Sequence, residues 1–155
     1  MTVANAKILM DENQYRHIYH EVNTAPCVFE RAILRRCGTC AHAQRLNIAE
    51  REAVGCQSEN ARPVCRDFLK IMYSKSVFAI RPEQEHSPLP FGKEIRIQCG
   101  GLLGLQSALT ESGPIEIYPL LKQAIAEYGK IEQLPFEHIV REVNAFKSRR
   151  KHKSV

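Results

Sequence analysis

Apolar residues recur along this chain with two different spacings. From Asp11 to Asn23 they are Tyr15, Ile18, Tyr19 and Val22, at i, i+3, i+4 and i+7. That spacing lines one face of a helix, with Asp11 placed to cap its start. Pro26 suits the first turn of a second helix in which Val28, Phe29, Ala32 and Ile33 face inward and which Gly38 stops. Ala41 to Val54 predicts a short helix closed by Gly55. After the polar turn 57–60, Pro63 opens a helix through Tyr73 with Val64, Phe68, Leu69 and Met72 on one side.

The spacing then shortens. Ser76–Ile80 and Glu94–Cys99 alternate and carry β-branched residues, which predicts two strands of a small β-hairpin. Pro82, Pro88, Pro90 and Gly92 between them predict a long projecting loop. Gly100-Gly101 ends the second strand, Leu102 to Leu109 returns to a helical pattern, and Ser112-Gly113-Pro114 breaks it. Two amphipathic helices close the chain. Ile117, Leu120, Leu121, Ala124, Ile125 and Tyr128 face inward on the first, ended by Gly129, and Phe136, Ile139, Val140, Val143 and Phe146 on the second. The expected fold is α+β and mainly helical, with a small hairpin and a cysteine-ligated metal site in the N-terminal half. Residues 1–147 make a single compact domain with a cysteine-rich region at 27–66, and 148–155 a flexible basic tail. A division near 82–92 would leave two halves small for independent folding.

Composition changes this picture little. The chain has 155 residues, 44% hydrophobic and 25% charged, enough for one domain with a real core. No stretch has the apolar length of a membrane span. The first ten residues hold Lys7 and only the short apolar run Ile8-Leu9-Met10, which is not a signal peptide, so a cytoplasmic location is the expectation. The net charge of +5 sits in residues 141–155, where Arg141, Lys147, Arg149, Arg150, Lys151 and Lys153 face Glu142 alone. Basicity is therefore a property of the tail, through which nucleic acid could bind by its phosphates, and not of the fold. The tail lacks the interleaved aromatics that stack on bases.

The cysteines change the picture most. Five of the six, Cys27, Cys37, Cys40, Cys56 and Cys65, fall between positions 27 and 65. In a reducing compartment such a cluster points to metal or redox chemistry before a disulfide framework. Cys37-Gly38-Thr39-Cys40 is a C-x2-C pair that can share a metal, and Cys56 and Cys65 form a second, wider pair. The gap of eight is loose for a zinc knuckle, whereas a cluster tolerates it because each thiolate binds its own iron. The expected ligands are Cys37, Cys40, Cys56 and Cys65. The expected cofactor is an iron–sulfur cluster of the 4Fe-4S type, with a four-cysteine zinc site as the alternative. Cys27 and Cys99 read as buried small hydrophobes. Arg35, Arg36, Arg45, Arg51, Arg62 and Arg66 lie close in sequence and would offset the negative charge of a thiolate site.

Other chemistry finds less support. His17, His20 and Glu21 share a helix face but lack the order of a zinc peptidase, and His42 is a candidate neighbour of Cys40. Cys-Gly-Thr-Cys lacks the βαβ setting of a thioredoxin motif, and there is no G-x-S-x-G elbow or P-loop. The expected function is that of a small iron–sulfur-cluster-binding protein. Its role would be electron transfer, redox sensing or metallocofactor assembly, with another protein as partner and no membrane. The competing class is a zinc-stabilised module binding protein or nucleic acid.

Overall fold

The computed structural model describes residues 11–80 and 91–146. Helix α1 (Glu12–Val22) starts at a capping box. The Asp11 carboxylate accepts the Gln14 N–H at 2.8 Å, and the Gln14 side chain accepts the Asp11 N–H at 3.4 Å. Its apolar face is only half-covered: no α1 residue is fully buried, and Val22 is 49% exposed. The chain then runs extended, and Pro26 pairs antiparallel with Gly55. The bonds on either side of this pair use Cys27 and Cys56, so the missing proline N–H leaves no acceptor unsatisfied.

Helix α2 (Glu30–Leu34) is short and buries Ala32 and Ile33. It ends in a Schellman motif. The Cys37 N–H donates to Ala32 O at 2.8 Å and the Arg36 N–H to Ile33 O at 3.0 Å, with Arg36 left-handed at φ 68°. Strands β1 (Ala43–Ile48) and β2 (Arg51–Cys56) form an antiparallel hairpin in which Ala43 faces Cys56 and Ile48 faces Arg51. Ala49 takes φ 57° in its two-residue turn.

The rest of the described chain is helical. Helix α3 (Ala61–Ile80) is held at its start by Ser58, whose hydroxyl accepts the Ala61 N–H at 3.0 Å. Helix α4 (Phe91–Ile95) runs through a π-helical turn (Arg96–Gly100) into α5 (Gly101–Ala108). Helices α6 (Ile117–Tyr128) and α7 (Phe136–Ala145) follow, joined by a 3-10 turn at Ile131–Gln133, with Gly129 ending α6 at φ 98°. Phe68 and Met72 of α3, Ile97 and Leu102 of the π-turn helix, Leu121 of α6 and Ile139 and Val143 of α7 form the core. The crossing of α5 with α7 depends on glycine. A Cβ at Gly100 would sit 2.7 Å from Val143 Cα, and one at Gly104 2.8 Å from Ile139 Cα.

The α+β, mainly helical class holds, but the hairpin is elsewhere. Residues 41–54 form strands because pairing with each other and with the Ala25–Cys27 segment outweighs the helix propensity of their Ala, Arg, Leu and Glu. Ser76–Ile80 is instead the end of α3, and Glu94–Cys99 is helical. The predicted strand Glu94–Cys99 contains Ile95, Ile97, Gln98 and Cys99, all buried, which gives no amphipathic helical signal. Pro26 belongs to the extended segment and not to α2, and Arg36 rather than Gly38 ends α2. Gly100-Gly101 lies inside a helix. The expected proline loop at Pro82, Pro88 and Pro90, the histidines His86 and His152, and the basic tail at 148–155 lie outside the described residues.

Candidate metal centre

Four separate stretches bring Cys27, Cys40, Cys56 and Cys65 to one end of the hairpin. The Cys27 N–H donates to Val54 O at 2.9 Å and the Cys56 N–H to Ala25 O at 2.7 Å, which sets these cysteines on neighbouring strands. A turn closed by the Ala43 N–H on Cys40 O, 3.0 Å, leads Cys40 into β1, where Ala43 faces Cys56. Cys65 lies in the second turn of α3, 8% exposed, and the cap of that helix is Ser58, two residues after Cys56. Cys27, Cys40 and Cys56 are half-buried.

The electrostatics register this convergence. Burial, and then the charges of Cys56 and Cys40, push the Cys27 thiol up to about 12. Burial and the charges of Cys27, Cys40 and Cys56 push Cys65 up to about 12. Two sulfurs also meet backbone donors two residues ahead. The Phe29 N–H pulls the Cys27 thiol down against its burial, and the Ser58 N–H lies 3.5 Å from Cys56 Sγ. Among the described residues no three His, Cys, Asp or Glu side chains gather closely enough to hold a single metal ion.

Cys37, one of the expected ligands, is engaged with a cysteine outside this group. Thr39 pairs with the entry to α6, its N–H on Ile115 O at 2.9 Å and the Ile117 N–H on its carbonyl at 2.8 Å. Cys37 forms a disulfide with Cys99, their Cα atoms 5.6 Å apart. Cys99 is therefore neither a free core thiol nor a strand residue. The preceding Gln98 is buried and grips α2: its side chain accepts the Ala32 N–H at 2.9 Å and donates to Val28 O at 3.4 Å.

Glu30 ties the N-terminal elements together beside Cys27. Its carboxylate accepts the Tyr19 hydroxyl at 2.9 Å and the Val54 N–H at 2.8 Å. Neither Glu30 nor Gln98 stood out in the sequence, because a carboxylate and an amide among many carry no spacing signal.

The other sequence candidates do not converge. His17 pairs with Glu21 at 3.2 Å on the exposed face of α1, and His20 packs edge-on to Tyr19. His42 packs edge-on to Tyr118, ring centres 5.7 Å apart. Arg45 pairs with Glu52 at 3.3 Å, and Arg51 pairs with Glu12 at 2.9 Å while lying over the Tyr15 ring. Arg62, three residues before Cys65, has a buried Nε with no hydrogen-bond partner among the described residues. A cleft of about 740 Å³ lies between α1, α2 and the hairpin. Its guanidinium of Arg51 is engaged by Glu12, and that of Arg31 by Glu94.

No helix among the described residues is long and apolar enough to cross a membrane. No protein-family model, curated protein or solved structure matches the chain.

Proposed function

We propose that the chain is an iron–sulfur protein of the 4Fe-4S type, held by Cys27, Cys40, Cys56 and Cys65. Its role is electron transfer, redox sensing or metallocofactor assembly with a protein partner, in the cytoplasm. The observation that carries the reading is the convergence of four thiols from four segments at the end of one hairpin. A zinc ion needs its sulfurs about 2.3 Å from one centre. These thiols lie within electrostatic reach of each other. A cluster, in which each thiolate binds a different iron, accepts ligands from separate segments at irregular spacing. The Phe29 N–H acts on Cys27 against the effect of its burial, and the half-buried Cys27, Cys40 and Cys56 leave one edge of the site near the surface for a partner.

Anaerobic purification followed by iron, sulfide and zinc determination tests this. The protein should be brown, with absorption at roughly 400 nm. Replacing any one of Cys27, Cys40, Cys56 or Cys65 by Ser should remove the colour and the iron. Cys37→Ser and Cys99→Ser should keep both. Zinc without sulfide would establish the zinc alternative. Retention of full iron in Cys27→Ser, with loss in Cys37→Ser, would return the ligand set to Cys37, Cys40, Cys56 and Cys65.

A further inference from the structure

The two cysteines of the Cys37–Cys99 disulfide are unequally placed. Cys99 is fully buried, 0% exposed, within the π-turn. Cys37 is half-buried and forms part of the wall of a cleft of about 720 Å³ with Arg36, Thr39, Arg45, Leu103 and Pro114. Cys99 does not line it. A thiolate must reach the sulfur it attacks, so access selects the site of exchange. Arg36 projects from its left-handed position at the end of α2 and has no ion-pair partner among the described residues. Arg45 in the same wall is held by Glu52 through a 3.3 Å contact, with both side chains about half exposed.

We propose that this disulfide is a thiol-exchange site at which Cys37 is the sulfur attacked, and that its reactant is an anionic low-mass thiol of the glutathione type. The thiolate attacks Cys37 Sγ, a new S–S bond forms to Cys37, and the Cys37–Cys99 bond breaks. The electron pair leaves on Cys99 Sγ, which takes a proton from solvent and becomes a buried thiol. A second thiolate then attacks the sulfur of the bound reactant. It releases the oxidised disulfide of the reactant and leaves Cys37 as a thiolate. Two electrons pass from two thiols to the protein disulfide. Arg36 attracts the carboxylates of the incoming thiol. The exchange needs no metal and does not rest on the cluster reading.

Wild-type protein is treated with reduced glutathione, quenched with acid at intervals, and followed by intact mass and peptide mapping. Free cysteines do not react with a reduced thiol, so any adduct reports the disulfide. One glutathionyl group should appear, on the peptide carrying Cys37, followed by the doubly reduced protein. Arg36→Glu should slow the reaction with glutathione about tenfold, as expected for lost attraction of its carboxylates, and slow 2-mercaptoethanol, whose thiolate carries no carboxylate, by no more than about threefold. Metal content measured on the same samples separates the two proposals, because exchange should proceed at the same rate with the metal present or removed. An adduct on Cys99, reaction only after unfolding in urea, equal slowing of both thiols in Arg36→Glu, or reduced Cys37 and Cys99 in air-equilibrated native protein would each overturn the assignment.

Discussion

Alkaline pH should act with opposite sign on the metal-free and metal-loaded forms. In the metal-free fold, burial and neighbouring thiols hold Cys27 and Cys65 at about 12, against an ordinary value of 9.0 in the unfolded chain. Between those values the unfolded chain has released protons that the folded chain retains, so stability falls as pH rises. Each thiol contributes a loss of about 1 kcal/mol from pH 9 to 10, where the unfolded thiol passes from half to almost fully ionised, and the pair about 2 kcal/mol. That is a large share of a domain stability of about 5–15 kcal/mol. Below about pH 8 these two thiols add almost no slope. With metal bound the folded thiolates carry no proton, so stability rises towards pH 9 and then levels off.

Urea unfolding at pH 7, 8, 9 and 10 on chelator-treated and loaded protein reads both slopes. The window closes near pH 10, where unfolded tyrosines begin to ionise. The Tyr19 hydroxyl is raised by burial and by its bond to Glu30, and that of Tyr73 is pushed up to about 12 by burial and the charge of Glu94. Both then add a loss of the same sign. A control with Cys27→Ala and Cys65→Ala together should abolish the slope between pH 9 and 10. An unchanged midpoint in metal-free wild type over that interval, or a full slope in the double variant, would refute the argument.

Three further outcomes are expected. Glu30→Ala strands the Val54 N–H and the Tyr19 hydroxyl and should cost about 2 kcal/mol, with Tyr19→Phe costing about 1 kcal/mol, both read by urea unfolding. Gly104→Ala forces its new methyl against Ile139 Cα and should cost about 2 kcal/mol in thermal unfolding, with metal content unchanged. Hydrogen exchange should show loading protect residues 25–65 while α6 and α7 exchange alike in both forms, because the four proposed ligands lie at 27–65 and binding is coupled to local folding.

The helices with one apolar face and sharp ends were legible in the chain. Asp11 with Gln14, Gly129 after α6, and the spacing from Phe136 to Phe146 each announce a local structure that tertiary contacts then keep. The hairpin was not legible. Ala43 to Cys56 is rich in helix formers, and its turn is Ala49-Glu50 in place of a glycine or asparagine pair. Misreading it moved the chemistry. With 41–54 taken as a helix and Pro26 as a helix start, nothing brings Cys27 to Cys56. Once the strands pair, Ala25–Cys27 lies against β2, and Gly55 lets it lie close: a Cβ there would be 2.9 Å from Asn23 Oδ1. Three of the four convergent thiols were named from spacing alone. The fourth required a pairing between residues nearly thirty apart.

The π-helical turn holds its own consequence. A turn of this kind carries one residue more than an α-helix would use over the same length. Deleting one residue between Arg96 and Gly100 would let an α-helix run unbroken from α4 into α5. The flanking helices would keep their relative orientation, because the wide turn is what absorbs the extra residue, and the side chains within the turn would be re-aimed. Gly101 and Gly104 would keep their seats against Met72 and α7, while Gln98 and Cys99 would swing away from α2. The amide grip and the disulfide would be lost together, although neither residue had been substituted. At this point in the chain, the reach of two side chains is set by the number of residues as much as by their kind.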